Sequence, residues 1–112
     1  MIITRSEVTE DARTDLQLHY EWYLEKADDE IADRYLKSFQ HTLSKLVVQP
    51  DLGVVRRFRS KRLQGIRSIQ FTEAFRVHLL FYRLEEEALV VFRVMHGMRD
   101  LPRRLLEHPG SE

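Results

Sequence analysis

The stretch that decides the fold reads Phe75-Arg76-Val77-His78-Leu79-Leu80-Phe81-Tyr82-Arg83-Leu84, then Glu85-Glu86-Glu87, then Ala88-Leu89-Val90-Val91-Phe92-Arg93-Val94-Met95-His96-Gly97-Met98-Arg99-Asp100-Leu101. Two strand-length runs rich in Val, Leu, Phe and Tyr, joined by three acids, specify an antiparallel hairpin whose charged tip keeps it in solution. Successive side chains on a strand point to opposite faces. Phe75, Val77, Leu79 and Phe81 therefore share one face of the first run, and Arg76, His78, Leu80 and Tyr82 the other. In the second run Ala88, Val90, Phe92 and Val94 are uniformly apolar, while Leu89, Val91, Arg93 and Met95 include one cation. The expectation is a sheet with one face on the core and the opposite face carrying Arg76, His78, Tyr82 and Arg93. The second run then enters His96-Gly97-Met98-Arg99-Asp100, where polar residues gather around a glycine and core packing has no use for them.

Upstream of the hairpin, Gly65 opens a further strand run, Ile66-Arg67-Ser68-Ile69-Gln70-Phe71, preceded by a basic, irregular segment from Val54 to Arg62. Before Pro50 the period changes. Ala12, Leu16, Tyr20, Tyr23, Leu24 and Ala27 recur every three or four residues, and so do Ile31, Tyr35, Phe39, Leu43 and Leu46, which predicts two amphipathic helices. Ser6 is the expected N-cap of the first, over residues 7–26, with Glu7, Glu10 and Asp11 at the positive end of its dipole. Asp28-Asp29-Glu30 caps the second, and Pro50 ends it. Ile2 and Ile3 mark a short opening strand within residues 1–5. The aromatics Trp22, Tyr23, Tyr35 and Phe39 read as core or interface filler. The expected order is β-α-α-β-β-β with a short C-terminal segment near 102–107: an α+β fold, a strand and a two-helix hairpin packed on a small antiparallel sheet.

A chain of 112 residues matches one hydrophobic core, so residues 1–112 are read as a single domain. Its 43% hydrophobic content supports a packed interior. With no cysteine, disulfides, thiolate metal sites and a cysteine nucleophile are excluded. No run approaches the roughly 20 apolar residues of a membrane span, and the N-terminus lacks a signal-peptide core, so a cytoplasmic, membrane-free protein is expected. Zero net charge conceals an uneven distribution: Arg56, Arg57, Arg59, Lys61, Arg62 and Arg67 fall within twelve positions that contain no acid. That segment is either a solvated loop or a binding surface for nucleic acid or an acidic peptide. His19, His41 and His108 lack metal-ligand spacing, and neither a metal nor a cofactor is expected.

In order and spacing, Ala12-x-x-Asp15-Leu16, Ala32-Asp33-Arg34-Tyr35-Leu36, Pro50-Asp51-Leu52-Gly53, Phe75 to Arg83 and Arg93 to Leu101 resemble the RelE/ParE superfamily of type II toxin-antitoxin toxins, closer to its ParE branch. The resemblance spans about residues 3–106 and implies a plasmid-stabilisation-type toxin silenced by a cognate antitoxin within a toxin-antitoxin hetero-oligomer. It implies one of two activities. RelE-type toxins cut messenger RNA on the ribosome, whereas ParE-type toxins are associated with DNA gyrase.

RNA cleavage needs a group to activate the 2'-hydroxyl, cations at the phosphate and a proton donor. By resemblance Arg76 and Arg99 stand as the sheet and post-strand arginines, with Arg67 in place of a strand lysine. Ile69 and Leu105 occupy positions where a second lysine and a late tyrosine would stand. Only His96 is titratable near neutrality in that ending, so the nuclease set would be Arg67, Arg76, His96 and Arg99. Alternatively His96 ends the strand with a hydrogen bond, Gly97 makes a turn, and Asp100 pairs with an arginine or caps a helical turn. The leading expectation is a gyrase-binding inhibitor rather than an enzyme, with Arg56, Arg57, Arg59, Lys61, Arg62, Arg93, Arg99 and Asp100 contacting target or antitoxin. A ribosome-dependent nuclease and a non-toxic antitoxin-binding module are the alternatives.

Overall fold

The computed structural model describes residues 1–97 and 101–110. Its elements are β1 (Arg5–Val8), α1 (Glu10–Lys26), α2 (Asp29–Val48), β2 (Val54–Val55), β3 (Arg67–Gln70), β4 (His78–Glu85), β5 (Ala88–His96) and α3 (Leu101–Leu106), with 3-10 turns at Lys61–Leu63 and Glu73–Phe75. The strands form one sheet in the order β1-β5-β4-β3-β2. The α+β class and the helix hairpin are as the sequence reading expects. The sheet is mixed, however, because β1 lies parallel to β5, Arg5 opposite Ala88 and Val8 opposite Val91.

That parallel pairing moves the first helix start. Ser6 is committed to the strand opposite Leu89, so the next capping residue takes over: the Thr9 hydroxyl accepts from the Ala12 N–H at 3.1 Å and donates to the Phe92 carbonyl at 2.8 Å. One side chain thereby caps α1 and fastens it to β5. Asp28 caps α2 as expected, accepting from Ile31 N–H at 2.9 Å.

The sheet has apolar material on both faces. Tyr35, Phe39 and Leu46 of α2 and Ala12 of α1 pack with Leu80, Tyr82, Leu89, Val91 and Val94. Across the sheet, Leu63, Ile66, Leu79, Phe81 and Met95 meet Leu101 and Leu105 of α3. The expected polar face is therefore absent. Alternation within β4 is correct, but His78 and Tyr82 point toward the helices, and Arg76 with Val77 lies before the strand in an exposed connection. In β5 a bulge breaks the alternation: Phe81 pairs with Arg93 but Tyr82 with Val91, leaving Phe92 as the extra residue. Leu89, Val91 and Val94 consequently share the helix side while Phe92 and Met95 serve the other.

The bulge places Arg93 where β5 outruns β1. Its guanidinium, 3% exposed, grips Asp15 of α1 through two bonds of 2.7 and 2.9 Å, and its remaining nitrogen donates to the Arg104, Leu105 and Glu107 carbonyls. Asp15 also accepts the Val94 N–H at 3.0 Å, standing in for the strand partner that β1 no longer supplies. Burial raises the Asp15 carboxyl above its ordinary range; the bonds from Arg93 and Val94 oppose that rise. Removing one partner strands a buried charge, so Arg93→Met alone should cost about 3–5 kcal/mol in chemical denaturation, and Arg93→Met with Asp15→Leu should cost less than either single change.

The exit from α2 is fixed by Tyr82. Its hydroxyl donates to the Pro50 carbonyl at 2.7 Å and accepts the Gly53 N–H at 2.9 Å. A Cβ at position 53 would lie 2.5 Å from that oxygen, so no other residue fits without displacing the ring. Tyr82→Phe should lower stability by about 1–3 kcal/mol, because the Gly53 N–H is left buried and unpaired. Gly53→Ala should cost a similar amount by overpacking, both read from urea midpoints at unchanged slope.

Candidate functional site

The periodic stripe of α1 contains two polar residues, Asp15 and His19, beside its apolar ones. His19 faces the sheet end where His78 of β4 pairs with His96 of β5. The rings of His19 and His78 lie 4.8 Å apart and those of His78 and His96 5.1 Å apart. His19 Nδ1 bonds the Tyr35 hydroxyl at 2.6 Å and His78 Nε2 the Tyr23 hydroxyl at 2.9 Å. His78 Nδ1 is buried with no partner among the described residues. Leu18 and Trp22 complete the wall of a cavity of about 380 Å³ over these rings. Trp22 is 55% exposed and so is rim rather than core.

Burial, reinforced by the charges of His96, Arg104 and Arg93, pushes His19 down to about 4. Burial, then His19 and His96, pushes His78 down to about 3. Both are neutral at pH 7 and supply neither a cation for a phosphate nor a proton for a leaving group. Among the described residues no group of three or more histidines and acids is placed to hold a metal.

Of the candidate residues, Arg76 and His96 share one end of the sheet, and Arg67 lies apart from them. Arg76 is exposed at the same sheet end as His96, since the Gly97 N–H donates to the Val77 carbonyl at 2.9 Å. Gly97 makes the expected turn at φ 81. Arg67 stands opposite Tyr82, four residues along β4 from His78, or about 13 Å at the usual rise per residue. It donates to the Gly53 carbonyl at 2.9 Å and to the Asp51 carbonyl at 3.3 Å, so it holds the α2 exit. Arg93 is buried, which removes it from any contact surface. Arg56 bonds the Ser68 hydroxyl at 3.2 Å and lies against Phe58 and Phe81, while Arg57, Arg59, Lys61 and Arg62 are exposed. Arg99 and Asp100 lie outside the described residues. The histidine grouping was missed because His19, His78 and His96 are far apart in sequence; His19 on the buried stripe of α1 was the available signal.

The sequence profile for the ParE toxin of type II toxin-antitoxin system, parDE, matches residues 7–101. The chain belongs to the ParE toxin family. A solved structure described as the chromosomal ParDE TA system from P. aeruginosa shares the fold of this ParE protein, with a TM-score of 0.69 and 15% identity over 87% of this chain and 98% of that one. A comparison with curated protein sequences found no match. In this ParE chain the positions that depart from a nuclease pattern have packing roles: Ile69 rests on the helix-side core and Leu105, 1% exposed, fills the other. No helix among the described residues is long and apolar enough to cross a membrane.

The neutral histidines set a pH dependence. Their folded values lie below the ordinary 6.5, so the unfolded chain binds more protons. Stability from this source is complete above about pH 6.5 and declines as pH falls toward 4 and then 3, by up to about 1.4 kcal/mol per pH unit for each histidine. In thermal melts from pH 7.5 to 4.5, His78→Phe should flatten the decline, while a change at exposed His41 should leave it intact.

Proposed function

We propose that this ParE-family protein arrests growth by binding DNA gyrase, as an inhibitor rather than a nuclease, and that a cognate antitoxin neutralises it. The observation carrying this reading is the separation of Arg67 from Arg76 and His96, which share the opposite end of the sheet. Arg67 is spent on the α2 exit, well away from His96, and two of the three clustered histidines are neutral at pH 7. The P. aeruginosa structure is described as a ParDE toxin-antitoxin system, which supports an antitoxin partner here. The cations on offer to antitoxin or target are Arg57, Arg59, Lys61 and Arg62, with Arg56 partly engaged by Ser68; Arg99 and Asp100 keep the role proposed from the sequence.

A second reading, a ribosome-dependent endoribonuclease using Arg67, Arg76, Arg99 and His96, draws support from the same exposed cations, which would suit an RNA backbone. Induced expression separates the two. The gyrase reading expects growth arrest with loss of plasmid supercoiling and accumulation of gyrase cleavage complexes, while translated messages stay intact by primer extension. Cuts within codons with normal supercoiling would transfer the function to the nuclease reading. Harmless expression without an antitoxin would identify a non-toxic binding module.

A further inference from the structure

His78 stands opposite His96 where β4 begins and β5 ends. Over that end Leu18, His19, Trp22 and Tyr23 of α1 close a cavity of about 380 Å³. It has the size of a small-molecule pocket, and rings make up most of its wall. His78 at the bottom is 2% exposed, whereas Trp22 and Leu18 stand at the mouth. The charged groups of this region lie elsewhere: Asp15, Arg93, Arg103, Arg104 and Glu107 line the adjoining cavity, and none of them lines this one. An ion entering would exchange water for rings and neutral imidazoles, which is costly, while a flat uncharged molecule would exchange it for stacking.

Hydrogen bonding within the chain sets the polar feature that such a molecule meets. Tyr35 is fully buried, and its hydroxyl has His19 Nδ1, at 2.6 Å, as its partner among the described residues. A buried O–H without an acceptor is costlier than an unused lone pair, so Tyr35 donates and Nδ1 accepts. A neutral imidazole carries one proton, and His19 then holds it on Nε2. That nitrogen has no hydrogen-bond partner among the described residues and, unlike His78 Nδ1, is not buried. His19 therefore presents a hydrogen-bond donor at the cavity.

We infer that this cavity binds an uncharged, planar heteroaromatic molecule that carries a hydrogen-bond acceptor in its ring. The ring would stack among Trp22, Tyr23, His78 and His96, and its acceptor would meet the His19 Nε2–H. Tyr35 does not line the cavity, so it is a positioning residue that acts by fixing the His19 tautomer. The inference stands apart from the gyrase and antitoxin readings and can fail without them.

The probes are flat two-ring molecules of nearly equal size: quinoline, with a ring acceptor; indole, with a donor; naphthalene, with neither; and N-methylquinolinium, a cation whose acceptor is blocked. Each is titrated into the full chain at neutral pH and followed by NMR through the ring N–H of Trp22, the chain's single tryptophan. Quinoline should shift that signal saturably, with a dissociation constant of about 1 mM or tighter, within reach of so small a ring. The other three should bind about tenfold more weakly, the fold-change that one net hydrogen bond gives. Tyr35→Phe should shrink the difference between quinoline and indole, because His19 is then free to carry its proton on Nδ1; a purely structural Tyr35 would weaken both alike. Leu18→Trp, at a position 42% exposed, should fill the mouth and remove quinoline binding, read by calorimetry because a second tryptophan is present. No saturable shift, indole or the cation binding as well as quinoline, or undiminished quinoline binding in Leu18→Trp would each overturn the inference. Should Tyr35→Phe fail to fold, the ranking of the probes on the unaltered chain decides the matter.

Discussion

Arg93 and Asp15 form the constraint on which the rest of the structure depends. An arginine inside a small domain is costly unless each of its donors is met. Here α1 supplies a bidentate carboxylate and the end of α3 supplies carbonyls, where the negative pole of a short helix favours a cation. The pair therefore locks three elements together: the first helix, the last strand and the last helix. It also solves a backbone problem, because Asp15 satisfies the strand edge that β1 is too short to cover. The β5 bulge is the geometric condition for this arrangement, since without it Arg93 would share a face with Leu89 and Val91 under the helices.

The same region holds the histidines. Once α1 is pinned by Asp15, His19 sits one turn further along and is carried onto His78, with Tyr23 and Tyr35 closing the network. Burial decides their chemistry. A histidine at the surface switches near neutrality, whereas these two are pressed into their neutral form and serve as polar packing between helix and sheet. Neither ring is therefore a cation or a ready proton donor at neutral pH, and the exposed His96 stands apart from Arg67.

At the other end of the sheet the balance differs. There Arg67 and Tyr82 bind the α2 exit and hold β2 in place, yet β2 itself remains uncovered and strongly basic nearby. The buried Arg93–Asp15 pair lies at the β1–β5 side, and the open edge of the sheet at the β2 side. Burial of Arg93 leaves the segment after Pro50, with Arg57, Arg59, Lys61 and Arg62, as the better-exposed source of cations.

Helix periodicity, the Asp28 cap, the Pro50 stop and the Glu85-Glu86-Glu87 turn are local signals, and they are enough for the α+β order, because each depends on residues within one or two turns of one another; the family is legible only through the resemblance of its motifs. The start of α1 was misplaced since Ser6 and Thr9 cap equally well in isolation; pairing with β5, distant in sequence, chose Thr9. Alternation correctly sorted β4 into two faces, but which face met the helices was not a property of the strand itself. In β5 the bulge reversed the pattern midway, and only the register with β4 reveals it. Arg93 looked like a surface cation because its partners, Asp15 and the α3 carbonyls, lie far off in the chain. Local spacing determined the elements; the pairing of remote residues decided which charges are buried and which remain available.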